Sequence, residues 1–232
     1  MNSGIIASCS DDKTIKLFII EKNKYNILQT LNYHINGVNK IIELKNKYLV
    51  SCSDDKSIIF YLKDNNEYKI DYQISTNGPC YCINEIKENE ICYSEGSGDS
   101  AICFYDINER KVKSSISNIS KMDISPFIMI SKELLFILGN NKISIININE
   151  YKLIREIKVP DSGWIRSACI LNENIIITGD DKSTIREWKI EGDNLILISK
   201  KENAHNDWII TLLNIGNGYI ASGSVDKLIK IW

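Results

Sequence analysis

The sequence predicts an all-β chain, a β-propeller of about six repeat units. Three observations lead there: a phrase that returns at a near-constant interval, the strand–turn–strand character of that phrase, and the lack of any sustained helical period. The phrase reads ASCSDDKTIKLF at Ala7 to Phe18 and VSCSDDKSIIFY at Val50 to Tyr61. It returns as ITGDDKSTIREW at Ile177 to Trp188 and as ASGSVDKLIKIW at Ala221 to Trp232. Two worn copies lie between, SEGSGDSAICFY from Ser94 to Tyr105 and LFILGNNKISII from Leu135 to Ile146. Successive copies sit about 41 to 44 residues apart, a period of propeller or solenoid arrays.

Each part of the phrase has a physical reason. The leading residues are apolar and β-branched, which suits a half-buried strand. The middle is Ser, Gly, Asp and Asn, residues that bond their own backbone or tolerate positive φ, so the chain turns there. The tail, such as Thr14-Ile15-Lys16-Leu17-Phe18, alternates polar with apolar and closes a hairpin. Two further strand-like runs separate the copies, for example Tyr25 to Leu31 and Val38 to Leu44. Roughly four strands per period make one propeller blade.

On these residues the chain resembles the WD40-repeat family over nearly its whole length. The resemblance implies a blade pinned by four side chains: a His before the first strand, a Ser or Thr on the second, an Asp in the turn and a Trp on the third. His205, Ser222, Asp226 and Trp232 match at every position, and His34, Ser51 and Asp55 match in the second unit, which ends on Tyr61. The first unit has Ser8, Asp12 and Phe18. In the unit ending at Trp188, Thr178 is kept, Asp180-Asp181 is shifted, and Asp161 stands where the His would be. The third unit keeps Asp99, and the fourth has Asn140 in its place.

A chain of 232 residues with 44% hydrophobic content can bury a sizeable core as a single domain, 1–232. The formal charge of -2 gives no basic footprint for a nucleic-acid backbone, so no nucleic-acid partner is expected. Met1 to Cys9 lacks the features of a secretory signal, and the apolar run Leu134 to Leu138 falls far short of the ~20 residues that cross a bilayer, so no membrane partner is expected either. Seven Cys, an odd number placed on strand-like runs, read as small buried hydrophobes in a reduced, cytoplasmic compartment. The chain starts on the second strand of one blade and stops on the third strand of another. A six-bladed ring with imperfect closure and a fragment of a seven-bladed ring both fit those ends, and an open ring would leave an unpaired edge.

Catalytic, metal and phosphate readings each lose to a structural one. His205, Ser222 and Asp226 have the composition of a Ser-His-Asp triad, but Ser and Asp recur at the same spacing in other units, whereas a catalytic group is needed once. Both His of the chain occupy the repeat position, which leaves no spare imidazole for acid–base work. Cys80-Tyr81-Cys82 puts two thiols on one strand face without a CxxC or a nearby His, so no metal is expected. Glu95-Gly96-Ser97-Gly98-Asp99 sits where the hairpin turn belongs, and no helix follows to hold a phosphate. The pairs Asp11-Asp12, Asp54-Asp55 and Asp180-Asp181 fall in turns of different blades, where the exposed member solvates the turn. No cofactor and no small-molecule substrate are expected.

A binding surface is what remains. The loops leading into each inner strand are Asn36 to Asn39, Gly78 to Tyr81, Gly163 to Arg166 and Asp207 to Ile210, and the resemblance places them on the rim of a central channel. Trp164 and Trp208 hold equivalent places in neighbouring blades, and Tyr81, Arg166 and Asn39 fall one step into the strand. Aromatic residues and Arg dominate protein interfaces. The expected function is a non-catalytic scaffold binding other proteins or peptides at this rim, with wedging of the Trp rings between blades as the structural alternative. Two other readings are a substrate-recognition subunit of a ubiquitin ligase, for which no adaptor segment is visible, and a propeller hydrolase.

Overall fold

The computed structural model describes residues 4–21, 24–96, 100–120 and 126–232, and all its regular elements there are strands. Asp99, singled out above, lies outside the described residues, as do Ser97, Gly98 and Ser125. The chain divides into two compact units, Met1–Asp123 and Ile124–Trp232. Each unit holds three antiparallel sheets, and the six sheets are the blades of a β-propeller.

In the first unit, blade one has three strands, β1 (Ile5–Cys9), β2 (Ile15–Glu21) and β3 (Lys24–Leu31). Blade two has β4 (Val38–Glu43), β5 (Leu49–Ser53), β6 (Ser57–Asp64) and β7 (Glu67–Ser75). Blade three has β8 (Ile83–Lys87), β9 (Glu90–Glu95), β10 (Ser100–Asp106) and β11 (Lys111–Ser120). In the second unit, blade four has β12 (Phe127–Met129), β13 (Leu134–Leu138), β14 (Lys142–Asn147) and β15 (Lys152–Lys158). Blade five has β16 (Ile165–Asn172), β17 (Ile175–Asp180), β18 (Ile185–Glu191) and β19 (Asn194–Lys201). Blade six has three strands, β20 (Ile209–Gly216), β21 (Tyr219–Ser224) and β22 (Ile229–Ile231). Among the described residues, blade one thus shows no inner strand and blade six no outer one, as the phrase positions predict.

Strands inside a blade pair with the next strand in sequence, so each hairpin forms from local chain. Where the third strand meets the fourth, the register slips directly before the terminal aromatic or aliphatic residue. The slip falls at Leu17/Phe18, Phe60/Tyr61, Phe104/Tyr105, Ile145/Ile146 and Glu187/Trp188. One bulge at one place in five blades bends each outer strand alike and strengthens its twist.

Central strands with a blade on either side inside one unit, such as β5 and β6, are buried on both faces. In β6, Ile59 and Tyr61 join Ile15, Leu17 and Val38 in the seam between blades one and two, while Ile58 and Phe60 join Ile83, Ile91 and Tyr93 in the seam between blades two and three. Continuous apolar runs such as Ile58-Ile59-Phe60-Tyr61 follow from that double burial, where a one-sided sheet would alternate. In the second unit Ile143 and Ile145 pack on Ile165, Ile176 and Trp188, and Ile177 and Ile185 pack on Ile209, Leu212 and Ile220. Backbone hydrogen bonds cross the same seams. The amide of Val38 donates to the Ser10 carbonyl, Cys80 to Ser53, and Ile165 to Gly139.

Candidate functional site

Two turn networks have the same geometry. In blade two the His34 ring holds Asp55 through Nδ1 at 2.8 Å and Ser51 Oγ through Nε2 at 2.7 Å. In blade six His205 holds Asp226 at 2.8 Å and Ser222 Oγ at 2.7 Å, and Trp232 Nε1 donates to that same Oγ at 2.8 Å. Tyr61 stands in for the indole in blade two, its hydroxyl 3.2 Å from Ser51 Oγ. The amides of Ile35 and Asn206 donate to Asp55 and Asp226, each at 3.0 Å, and so tie the His-bearing loop to the turn. Burial pushes both carboxyls up, yet these bonds outweigh it and both lie below the usual carboxylate range. Ser57 and His34 lead for Asp55, and the Asn206 amide and His205 for Asp226.

The connectivity Asp–Nδ1, Nε2–Ser is that of a hydrolytic triad. The serines, however, are fully buried, and Ser222 Oγ already accepts from Trp232 while facing His205. A nucleophile must reach a substrate carbonyl, and neither oxygen is exposed to one. The networks pin loops.

Blade five departs from this scheme. Asp161 is exposed and offers only its backbone carbonyl, which accepts from Lys182 Nζ at 3.3 Å. Arg186 on β18 instead forms a buried ion pair with Asp180, whose Oδ1 accepts from the amides of Lys182 at 3.0 Å and Thr184 at 2.9 Å. Trp188 Nε1 donates to Thr178 Oγ1 at 2.9 Å, in line with what the WD40 resemblance implies. A cation reaching in from the third strand replaces the imidazole that the loop lacks. Its signal in the sequence is an Arg at the second position of a third strand, between Ile185 and Glu187.

The second unit brings Trp164, Arg166 and Trp208 together. The Arg166 guanidinium lies over the Trp164 ring at 4.3 Å and over the Trp208 ring at 4.8 Å, a cation between two aromatic faces. Asp181 fixes the arrangement. Its Oδ1 accepts from the Trp164 amide at 2.9 Å, its own amide donates to the Trp164 carbonyl at 3.0 Å, and its Oδ2 lies 4.0 Å from the guanidinium. A Cβ on Gly163 would stand 1.6 Å from that carboxylate, so the loop needs glycine there. Trp208 is 46% exposed. Its carbonyl accepts from Val225, and the neighbouring Asp207 carbonyl accepts from Ser183 Oγ at 2.7 Å and Ser224 Oγ at 3.1 Å, so blades five and six hold it jointly.

The first unit treats the equivalent positions differently. Asn39 spends its side-chain amide on Asp54 Oδ1 at 2.7 Å and the Cys80 carbonyl at 3.0 Å, bridging blades two and three. Tyr81 is half-buried just ahead of β8. Cys80 and Cys82 precede β8, whereas the residue pattern put them inside a strand; both thiols are buried, and burial raises Cys80 well above the usual thiol range. Asp54 and Asp181 are likewise more than turn solvation, since Asn39 and the Trp164 amide bond to them. Among the described residues no cluster of three His, Cys, Asp or Glu side chains could hold a metal, and no helix is long and apolar enough to cross a membrane.

Comparison with known proteins agrees with the repeat phrase. The family description "WD domain, G-beta repeat" of WD40 matches residues 25–61 and 198–232. No curated protein matches the chain. Among solved structures, a chain in a crystal structure of a mitotic checkpoint complex superposes with a TM-score of 0.83 at 12% identity, covering 100% of this chain and 73% of that one. The structure of U3-55K superposes with a TM-score of 0.82 at 14% identity, covering 100% of this chain and 74% of that one. The WD40 β-propeller commonly mediates protein–protein interaction, and the family is generally a non-catalytic scaffold.

Proposed function

The chain is built of WD40 repeats on a β-propeller fold, and from that premise we propose a non-catalytic scaffold that binds a protein or peptide through Trp164, Arg166 and Trp208. The observation that carries this reading is the guanidinium held between two indole rings, one of them 46% exposed. Trp and Arg concentrate binding energy because they offer large rigid area with a polar handle. Here their rotamers are already set by stacking and by Asp181, so little side-chain entropy is left to lose when a partner docks. Asn39 belongs to the scaffold in this reading, because its donors are committed, and Tyr81 is a secondary contact. A reducing, intracellular setting belongs to it as well, supported by seven cysteines that form no disulfide among the described residues.

The test is capture of partners from native extract by wild type and by Trp164→Ala/Trp208→Ala, after both give matching melts. A specific partner whose capture falls at least tenfold in the double mutant supports the rim. A folded double mutant that retains its partner removes it.

A further inference from the structure

Blade three has no imidazole of the kind that pins blades two and six, and a cavity opens in that part of the blade. The amides of Val38 and Cys80 make the same bond to the preceding blade, so Thr76 stands where His34 stands, four residues earlier. Thr76 turns its hydroxyl onto the Gly78 carbonyl of its own loop at 2.7 Å. Tyr93 takes the place of Ser51: it pairs with Cys103 as Ser51 pairs with Ile59, two residues before the terminal tyrosine. Ala101 falls where Ser57 lies 3.2 Å from the His34 ring. Glu95 takes over the tie to the loop. Its Oε1 accepts from the Asn77 amide at 3.2 Å, as Asp55 accepts from the Ile35 amide, and its Oε2 accepts from Asn77 Nδ2 at 2.9 Å.

The cavity beside this carboxylate measures about 320 Å³, with Tyr93, Ala101, Cys103, Ser115 and Ser117 among its walls. That volume falls in the range of small-molecule sites, at its lower end. Glu95 is 8% exposed, both Asn77 donors are neutral, and no described residue lining the cavity is cationic. A buried carboxylate is costly without a compensating charge, and it can accept about four hydrogen bonds. We propose that the cavity binds an alkylammonium group, which donates to Glu95 in the slot that blade two fills with His34. Ser115 and Ser117 are exposed on β11 and flank the mouth through which the alkyl stem leaves. The site lies wholly in the first unit and does not depend on Trp164, Arg166 or Trp208.

The experiment titrates the full chain near neutral pH with n-butylamine, with N-acetyl-lysine methylamide and with n-butanol, following backbone amides by NMR. Saturable shifts at Asn77, Cys103 and Ser117 are expected with the amines, at an affinity about tenfold or more above that for n-butanol. Shifts from both amines assign the site to any free alkylammonium, and shifts from the lysine mimic alone assign it to a lysine side chain of a partner. Glu95→Gln keeps an acceptor for Asn77 and is expected to weaken amine binding by about tenfold or more. Ser115→Phe gives a second reading that leaves the buried tie intact. It sits at an exposed position, closes the mouth, and is expected to abolish amine binding with the melt unmoved. An equal response to n-butanol and n-butylamine overturns the proposal. So does the lack of a saturable shift with either amine, or undiminished binding by folded Glu95→Gln.

Discussion

Blades two and six carry the same His–Asp–Ser hydrogen bonds to within a tenth of an ångström, yet they differ in how far their third strands are buried. In blade two, Ile58 and Phe60 are fully buried, and Phe60 stacks on Tyr72 at 4.3 Å. In blade six the counterparts Ile229 and Ile231 are exposed. The network is a property of a blade alone, closed by residues within about 22 positions of each other. Burial is a property of the neighbour. A repeat array therefore separates two kinds of stability that a compact core would blend, an intrinsic term and an interface term.

The largest test of that separation is side-chain truncation at equivalent sites. Phe60→Ala should cost about 3–5 kcal/mol in a denaturant titration, whereas Ile231→Ala should stay within about 0.5 kcal/mol. Equal costs would mean that blade six is covered in solution. Next in size is Gly163→Ala, which drives a methyl into the Asp181 carboxylate and should cost about 1–3 kcal/mol while releasing the Trp164 stack. Tryptophan fluorescence should report the loosened ring. His34→Ala should cost a similar or smaller amount, about 1–3 kcal/mol, because Ser51 and Asp55 lose their partner in a buried site. His205→Ala should act in the same direction, and comparable effects in the two blades would show that the network needs no covered neighbour.

The smallest effect is a pH dependence. Asp55 and Asp226 both titrate below their ordinary range in the folded chain. Their contribution is therefore complete above the unfolded carboxylate value of about 4 and is lost as pH falls through the folded values. Urea midpoints should hold steady from about pH 7 to 5 and then fall, and His34→Ala should flatten the part due to Asp55.

Much of the fold was legible because each repeat phrase is a local instruction. Ser51, Asp55 and His34 announce a turn and its pin at fixed spacing, and the strand count per unit follows from turn positions. Three things were not legible. The Arg186–Asp180 pair uses positions displaced from the phrase, so Asp161 in place of the histidine gave no sign that a buried Arg on the third strand pairs with the turn. The commitment of Asn39 depends on Cys80, 41 residues away, and no spacing rule reports it. The contrast between Ile185 and Ile229 is invisible in composition, since both are isoleucines in the same word; only a neighbouring sheet tells them apart. For the rim, the equivalence of Trp164 and Trp208 was readable, but the guanidinium between them needed three dimensions.

Six of the seven cysteines lie in the first unit, and all but Cys9 are buried. Burial lifts Cys103 to about 12 and Cys169 to about 11, far from the thiolate form that reacts with disulfide reagents. The chain thereby carries its own clock. A colorimetric thiol reagent meets at most one ready group while the blades are closed, and each later absorbance step marks a blade opening. Five of the six silent groups lie within one unit, so the order of those steps would reveal which half of the array yields first.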